Sequence, residues 1–402
     1  MKLLLIDIRG LQAEAIGPYG NRWVETFTLN ALAAQGVVFD RHLSVHPETG
    51  RAHAVWRSGR YQFTPSTGPI DLLALVRGQG VRTYLLVDTS RPASTEFAVG
   101  WDQVRECADT PETLEAAQEL LGRLHREPSW LVWLELAALL PPWQVSPEIV
   151  DAYFGNLPPE EEEVAEEDDE DDEEFVDEDD LLEEEELHEP LMDPPAGAVD
   201  PKDDELYLRV QKSYAAAISQ VDILLGHLLD GMPDDVLVVL TADAGQSLGE
   251  HGVIGADGAS LHAEVVHVPL IFAGAGFRAG RHVGSLTASV DLGPTIAELA
   301  GTTWPDAQGR SLVKLLSEDE SAPRPYIAIG GGESLAMWTP ERTLILPAEG
   351  EPRLYVKPDD RCEVNDVQQH EADRAEGMAR TLRAFAEASA RAGALEVPAL
   401  EP

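Results

Sequence analysis

Two stretches of the chain are apolar without a break, and each runs into a single aspartate. Leu3-Leu4-Leu5-Ile6 leads to Asp7, and Val236 to Leu240 leads through Thr241-Ala242 to Asp243. Runs of this length, rich in Leu and β-branched residues, predict central strands buried on both faces of a parallel sheet. In open α/β sheets ligands collect beyond the carboxyl ends of such strands. Asp7 and Asp243 are therefore expected to face one shared site.

Between these strands the hydrophobic period changes back and forth. Leu29, Leu32 and Ala33 take helical spacing up to Gly36, and Val37 to Phe39 reads as a strand. Leu72 to Val76 is a helix and Val81 to Val87 a strand. Thr113 to Leu124 puts Leu114, Ala117, Leu121 and Leu124 on one helical face, and Ser129 to Leu136 is another buried strand. From Tyr207 to Leu228 apolar residues step by three and four, a long helix that delivers the chain to the strand before Asp243. Val268 to Phe272 adds a strand, and Asp291 to Gly301 a short helix. Alternation at this rhythm predicts right-handed crossovers and an α/β fold with a large, mainly parallel sheet flanked by helices on both faces.

Past Pro325 the texture shifts to short strands, Tyr326–Ile329, Leu335–Trp338, Thr343–Leu346 and Leu354–Val356, joined by tight turns. That pattern predicts a small antiparallel sheet, closed by an amphipathic helix on Met378, Leu382, Phe385 and Ala388. A boundary near Ala322 divides an α/β domain, residues 1–322, from a C-terminal α+β subdomain, residues 323–402.

Charge alters this picture at one place. The 402-residue chain carries a net charge of −44, and half of it comes from the 22 acids, with no Lys or Arg, between Glu160 and Glu189. Such a block repels itself and offers little to a core, so residues 158–190 are expected to be a disordered insertion. It reads first as a solvated surface segment, with loose cation binding or docking to a basic protein partner left open. Its carboxylates lack the spacing and the glycine of an EF-hand loop. The acidic sign argues against nucleic acid and against anionic membrane surfaces as partners. Two cysteines, Cys107 and Cys362, exclude a disulfide framework. The apolar run before Asp7 is too short for a signal peptide, and no run of about 18 apolar residues could span a membrane. The expected location is the cytoplasm.

The densest cluster of chemical side chains is His46 to His53, H-P-E-T-G-R-A-H, at the head of a helix that ends near Ser58-Gly59. Thr49 there occupies a position suited to a nucleophile or an anion site, with Arg51 and His53 beside it; an ordinary loop-to-helix junction is the plainer reading. Later polar candidates are His251 in G-E-H-G, and His262 and His267.

Assembled, these segments resemble the sulfatase family of the alkaline-phosphatase-like fold. L-L-L-I-D-I-R-G followed by P-Y-G-N is similar to its opening strand and Tyr-Gly-Asn turn, and T-L-N-A-L-A-A-Q-G-V-V-F to its first helix. T-G-R-A-H-A-V-W-R-S-G-R-Y fits C/S-x-P-S-R-A-x-L-x-T-G-R-Y without gaps. D-A-G-Q-S-L-G-E-H-G matches D-H-G-x-x-L-G-E-H-G, and V-D-L-G-P-T-I-A-E-L-A-G and L-Y-V-K-P-D-D-R-C-E-V-N-D match later segments. The resemblance runs from residue 2 to about residue 390, interrupted by the acidic block.

The resemblance implies a hard divalent cation, usually calcium, held by carboxylates, beside a formylglycine made from the Cys or Ser of C/S-x-P-S-R. Asp7 and Asp243 fall on ligand positions of that set, but Ile8 and Ala244 replace two other ligands. Two carboxylates are few for calcium, which takes about six to eight oxygens. Thr49 stands at the nucleophile position, and threonine is not converted to formylglycine. His53 stands at the motif's arginine, and Arg51 at its proline, where it could supply a displaced cation. The strand-end lysine falls on Asp88, where a carboxylate is expected to face the anion, and the histidine of P-H-x-P falls on Leu140. The resemblance thus points to a sulfatase-like hydrolase fold without sulfatase chemistry and without formylglycine. A residual calcium or magnesium ion and a small anionic ligand stay open. The alternative is a divergent phosphoester or sulfoester hydrolase with Thr49 as nucleophile and Asp7, Asp243, Arg51, His53, His251, His262 and His267 as a rebuilt polar site. A third reading makes the folded domain a carrier for the acidic segment.

Overall fold

A computed structural model describes residues 1–402 except 64–70, 93, 156–188, 257, 259, 275, 278, 318–322, 392 and 402. The acidic block expected at 160–189, apart from Glu189, and the expected boundary near 322 lie outside the described residues. The strands, in chain order, are β1 (Lys2–Ile8), β2 (Gly36–Leu43), β3 (Arg82–Asp88), β4 (Gln103–Cys107), β5 (Trp130–Leu136), β6 (Gly197–Ala198), β7 (Leu237–Thr241), β8 (Ser247–Leu248), β9 (Val253–Gly255), β10 (Leu270–Gly274), β11 (Arg281–Ala288), β12 (Ile327–Gly331), β13 (Ser334–Trp338), β14 (Arg342–Leu346) and β15 (Arg353–Val356).

Eight of them form one sheet in the order β11-β2-β10-β7-β1-β5-β3-β4. The two runs that end on aspartates, β1 and β7, are adjacent and parallel at its centre. Every pairing is parallel except those of β10, which lies antiparallel between β7 and β2. The β4 and β11 strands had no clear hydrophobic signature, because both are edge strands. β4 shows exposed Gln103, Val104, Arg105 and Glu106 to solvent, and β11 alternates irregularly around a register shift.

Strand period sorts the core into two layers. Leu4, Ile6 and Ile8 join one cluster with Leu29, Leu114, Val221 and Leu225 from the helices Phe27–Ala34, Thr110–Leu124 and Asp204–Leu229. Leu3 and Leu5 point the opposite way, into a cluster with Trp56, Leu73, Trp133 and Ile296 under the helices Thr49–Ser58, Leu72–Gly78 and Leu292–Leu299. Burial of large apolar side chains on both faces is worth about 1.5–3 kcal/mol each, which is why the central strands read as unbroken apolar runs.

The C-terminal sheet is antiparallel in the order β12-β13-β14-β15 and packs on the helix Ala372–Ser389 through Met378, Leu382 and Phe385. Its core is continuous with Leu43, Val45, Val55 and Tyr61 of the larger unit, and Gly330 N donates to Val45 O at 3.1 Å. The two units therefore share one hydrophobic interface. A short sheet, β6-β9-β8, lies beside the long helix. Cys107 is buried, Cys362 is exposed, and both are free thiols. No helix among the described residues is long and apolar enough to cross a membrane.

Candidate functional site

The site begins with register. β1 and β5 pair so that Asp7 lies directly beside Glu135, and β1 and β7 pair so that Asp7 lies beside Thr241. Asp7 and Glu135 share the face of Leu3, Leu5, Leu131 and Trp133, so two acids stand next to each other at the carboxyl edge of the sheet. Asp243 follows two residues after β7. Its backbone N donates to Asp7 Oδ1 at 2.9 Å, while its own Oδ1 accepts from Ala244 N at 2.7 Å.

Arg9 is two residues beyond Asp7 and so emerges on the same side. Its backbone N extends the ladder to Leu136 O at 2.9 Å. Gly10 then turns the chain sharply with φ of 84°; a Cβ there would be strained and would press on Leu140 Cδ2 at 3.0 Å. The guanidinium returns over the carboxylates, with Nη1 3.4 Å from Glu135 Oε1 and Nε 3.7 Å from Asp243 Oδ2. Its Nη2 donates to Thr49 Oγ1 at 3.3 Å. Nε and Nη1 are buried and make no aligned hydrogen bond, so attraction of charge, more than directed bonding, holds Arg9 in place.

The helix Thr49–Ser58 supplies the remaining groups. Thr49 and His53 are four residues apart and share a face. His53 Nε2 lies 3.0 Å from Asp7 Oδ2, and its ring packs on Phe97 at 4.2 Å and Trp56 at 5.1 Å between centroids. The helix ends at Gly59, whose φ of 61° is the left-handed C-cap favoured by glycine.

Burial governs the protonation chemistry. It raises the Asp7 carboxyl well above its ordinary value, reinforced by the Asp243 charge and opposed by Arg9. It pushes Glu135 up to about 7 and lowers the His53 imidazole. His46, near the same helix start, is lowered to about 4 by burial and then by the Arg51 charge.

The expected residues do not all meet. Asp7, Asp243, His53 and Thr49 come together around Arg9. Arg51, expected to supply a displaced cation, is half-buried on the same helix, but the cation among the carboxylates is Arg9. His251 and His262 form a different cluster: their rings stack at 3.6 Å, with His251 Nδ1 3.0 Å from Glu264 Oε1 and His262 Nδ1 2.9 Å from Glu363 Oε2. His267 points elsewhere again, with Nε2 on Asp40 O at 2.9 Å and its ring edge against Tyr19. The expectation of one polar site containing all three histidines is therefore corrected.

Asp88 is corrected as well. Its carboxylate turns inward, accepting from Ser90 N at 2.9 Å, from Ala137 N at 3.1 Å and from Thr110 Oγ1. It ties the ends of β3 and β5 together beneath a cavity of about 300 Å³ lined also by Arg91, Leu140 and Gln220.

Two members of the site, Arg9 and Glu135, were missed in the sequence, although each left a trace. Glu135 is the single acid in W-L-V-W-L-E-L, a charge inside an otherwise buried strand. Arg9 follows Asp7 at the strand period.

A hard divalent cation does not fit this donor set. Ile8 is packed in the core and Ala244 is a buried methyl group. Both Asp7 oxygens already have partners, and a guanidinium lies among the acids. Among the described residues no three His, Cys, Asp or Glu side chains are grouped as a metal site.

Comparison with known proteins places this geometry. The sequence profile described as Sulfatase matches residues 4–302. The multifunctional alkaline phosphatase superfamily protein PehA of Trinickia caryophylli is 36% identical over 120 residues, 27% of this chain and 23% of that protein. The N-acetylglucosamine-6-O-sulfatase of Bacteroides thetaiotaomicron is 32% identical over 127 residues, 30% of this chain and 22% of the relative. The match thus spans less than a quarter of the length of these two curated relatives. Among solved structures, the phosphonate monoester hydrolase of Agrobacterium radiobacter superposes with a TM-score of 0.72 at 18% identity over 96% of both chains. A protein solved with its substrate D-glucosamine-2-N,6-O-disulfate gives 0.70 at 16%, over 96% of this chain and 97% of that one. At such identities the likeness is one of fold.

Proposed function

This chain belongs to the sulfatase family, and we propose that it keeps the family's scaffold as a member that does not hydrolyse sulfate esters. The observation that carries this reading is the environment of Thr49. Its hydroxyl oxygen receives a hydrogen bond from Arg9 Nη2, and the neighbouring His53 is engaged by Asp7. A nucleophilic hydroxyl needs a base or a metal to take its proton, and among the described residues the Thr49 hydroxyl accepts from Arg9 but donates to no acceptor. With the lysine and histidine positions of the resemblance on Asp88 and Leu140, two of the donors that would stabilise charge on the sulfate are missing too. Loss of one preorganised donor alone costs about 100- to 1000-fold in rate.

The test is an aryl-sulfate assay on the purified chain, with and without calcium or magnesium. No turnover above that of Thr49→Ala is expected, and turnover abolished by that substitution overturns the reading. A second reading, hydrolysis of phosphoesters through Thr49, is favoured by the His53–Asp7 pair one helical turn away and by the cation beside the hydroxyl. The same assay on an aryl phosphodiester or phosphonate monoester decides for it if Thr49-dependent turnover appears.

A further inference from the structure

We infer that the Arg9 guanidinium takes the place of the divalent cation in this carboxylate cage, so that the centre draws its countercharge from within and is independent of metal. Asp7, Asp243 and Glu135 converge from three adjacent strands, with side chains at most 3% exposed for the two that face Arg9 directly. A group of buried acids at one point needs a counter-charge or it cannot stay folded as anions. Arg9 meets that need by position. Its Nη1 and Nε, the two nitrogens without an aligned hydrogen bond, are the ones turned to Glu135 and Asp243. A point charge surrounded by carboxylate oxygens is the electrostatic arrangement a metal ion would make; here the charge arrives on a side chain two residues downstream of Asp7. A divalent ion entering the same space would meet the fixed positive guanidinium before it met a full set of oxygens. The inference does not depend on whether Thr49 retains any hydrolysis, and its test reads no turnover.

The experiment compares full-length wild type, Arg9→Gln and Arg9→Lys by elemental analysis and by thermal melting, with EDTA and with millimolar calcium or magnesium. All three carry the acidic segment, so ions loosely held there cancel. Wild type and Arg9→Lys are expected to retain no stoichiometric ion and to melt at the same temperature with EDTA as with calcium. Arg9→Gln, which leaves the acids uncompensated, is expected to melt lower in EDTA and to recover by roughly 2 °C or more with the divalent ion, through linkage of binding to folding. One equivalent of tightly held ion in wild type, lost to EDTA with a fall in melting temperature, overturns the inference. So does an Arg9→Gln protein that responds to calcium no more than wild type. If Arg9→Gln does not fold, the wild-type metal content and its response to EDTA decide alone.

Discussion

The cage around Arg9 and the cluster around Glu363 are built from the same parts and behave in opposite ways. Each is buried, and each pairs histidine with carboxylate. In the cage, three acids meet one guanidinium, burial dominates, and Asp7 and Glu135 are raised while His53 is lowered. In the second cluster cations match acids. Glu363 Oε1 lies 3.1 Å from Lys357 Nζ, Oε2 faces His262 Nδ1, and Arg353 reaches toward the other nitrogen of that ring. Burial still pushes Glu363 upward, but the His262 hydrogen bond and the Lys357 charge outweigh it and hold the carboxyl below its ordinary value. Burial likewise opposes charging of His251, yet its hydrogen bond to Glu264 and that group's charge raise it. The supply of countercharge, not the identity of the pair, decides which protonation state is stable. The second cluster joins the loop after β15 to the segment 251–264, so it acts as a latch between the C-terminal sheet and the larger unit.

Isosteric neutralisation separates the two regions most strongly. Glu363→Gln removes the acid that balances Lys357 and His262, and breaking a buried pair costs about 3–5 kcal/mol. The expected result is a fall of many degrees in melting temperature, the largest effect among these substitutions. Glu135→Gln in the cage removes a surplus acid, and a loss well below that of Glu363→Gln is expected. Equal losses for the two variants would break the comparison.

The pH response sharpens it. Glu135 titrates near 7 when folded, against an ordinary value of 4.5. The folded state therefore binds more protons in that window, and the contribution of Glu135 to stability is complete below about pH 4.5 and is lost as pH rises through 7, by up to about 1.4 kcal/mol per unit. The Glu135→Gln variant should gain stability relative to wild type across that range in chemical denaturation. Glu363 is depressed, so its contribution has the opposite sense: present above the ordinary carboxyl value and lost as pH falls through its folded value. Glu363→Gln should therefore approach wild type on acidification. Opposite slopes for the two difference curves are the expected outcome, and parallel slopes would contradict the assigned directions.

The smallest effect is expected at Thr49. It is half-buried and, among the described residues, its side chain makes one hydrogen bond, at 3.3 Å. Thr49→Ala should stay within about 0.5 kcal/mol of wild type, which makes it a clean control for the turnover assays.

The sequence by itself determined the large elements and the meeting of two of them. Unbroken apolar runs rich in Leu and β-branched residues predicted central strands, and a single aspartate at the end of each put Asp7 and Asp243 at one sheet edge, where β1 and β7 are neighbours. The resemblance also set Ile8, Ala244 and Thr49 against ligand and nucleophile positions of the family motif, a correspondence read from fixed spacing alone. What only the tertiary structure decided was the sharing of charge. Glu135 joins Asp7 through lateral register between strands more than 100 residues apart, and no local pattern encodes register. Arg9 became the cation because the turn at Gly10 sends its long side chain back over the acids, while Arg51, nearer in sequence to Thr49, does not lie among them. Asp88 looked like a charge facing the site, but donors from the loop after β3, the start of the helix Thr110–Leu124 and the residue after β5 turned it inward. His251 and His262 stayed together, paired with Glu264 and Glu363, while His267 parted from them toward Asp40, because these partners come from different segments. Side-chain direction and countercharge depend on which elements pack together, and the hydrophobic pattern specifies the packing without naming the partners.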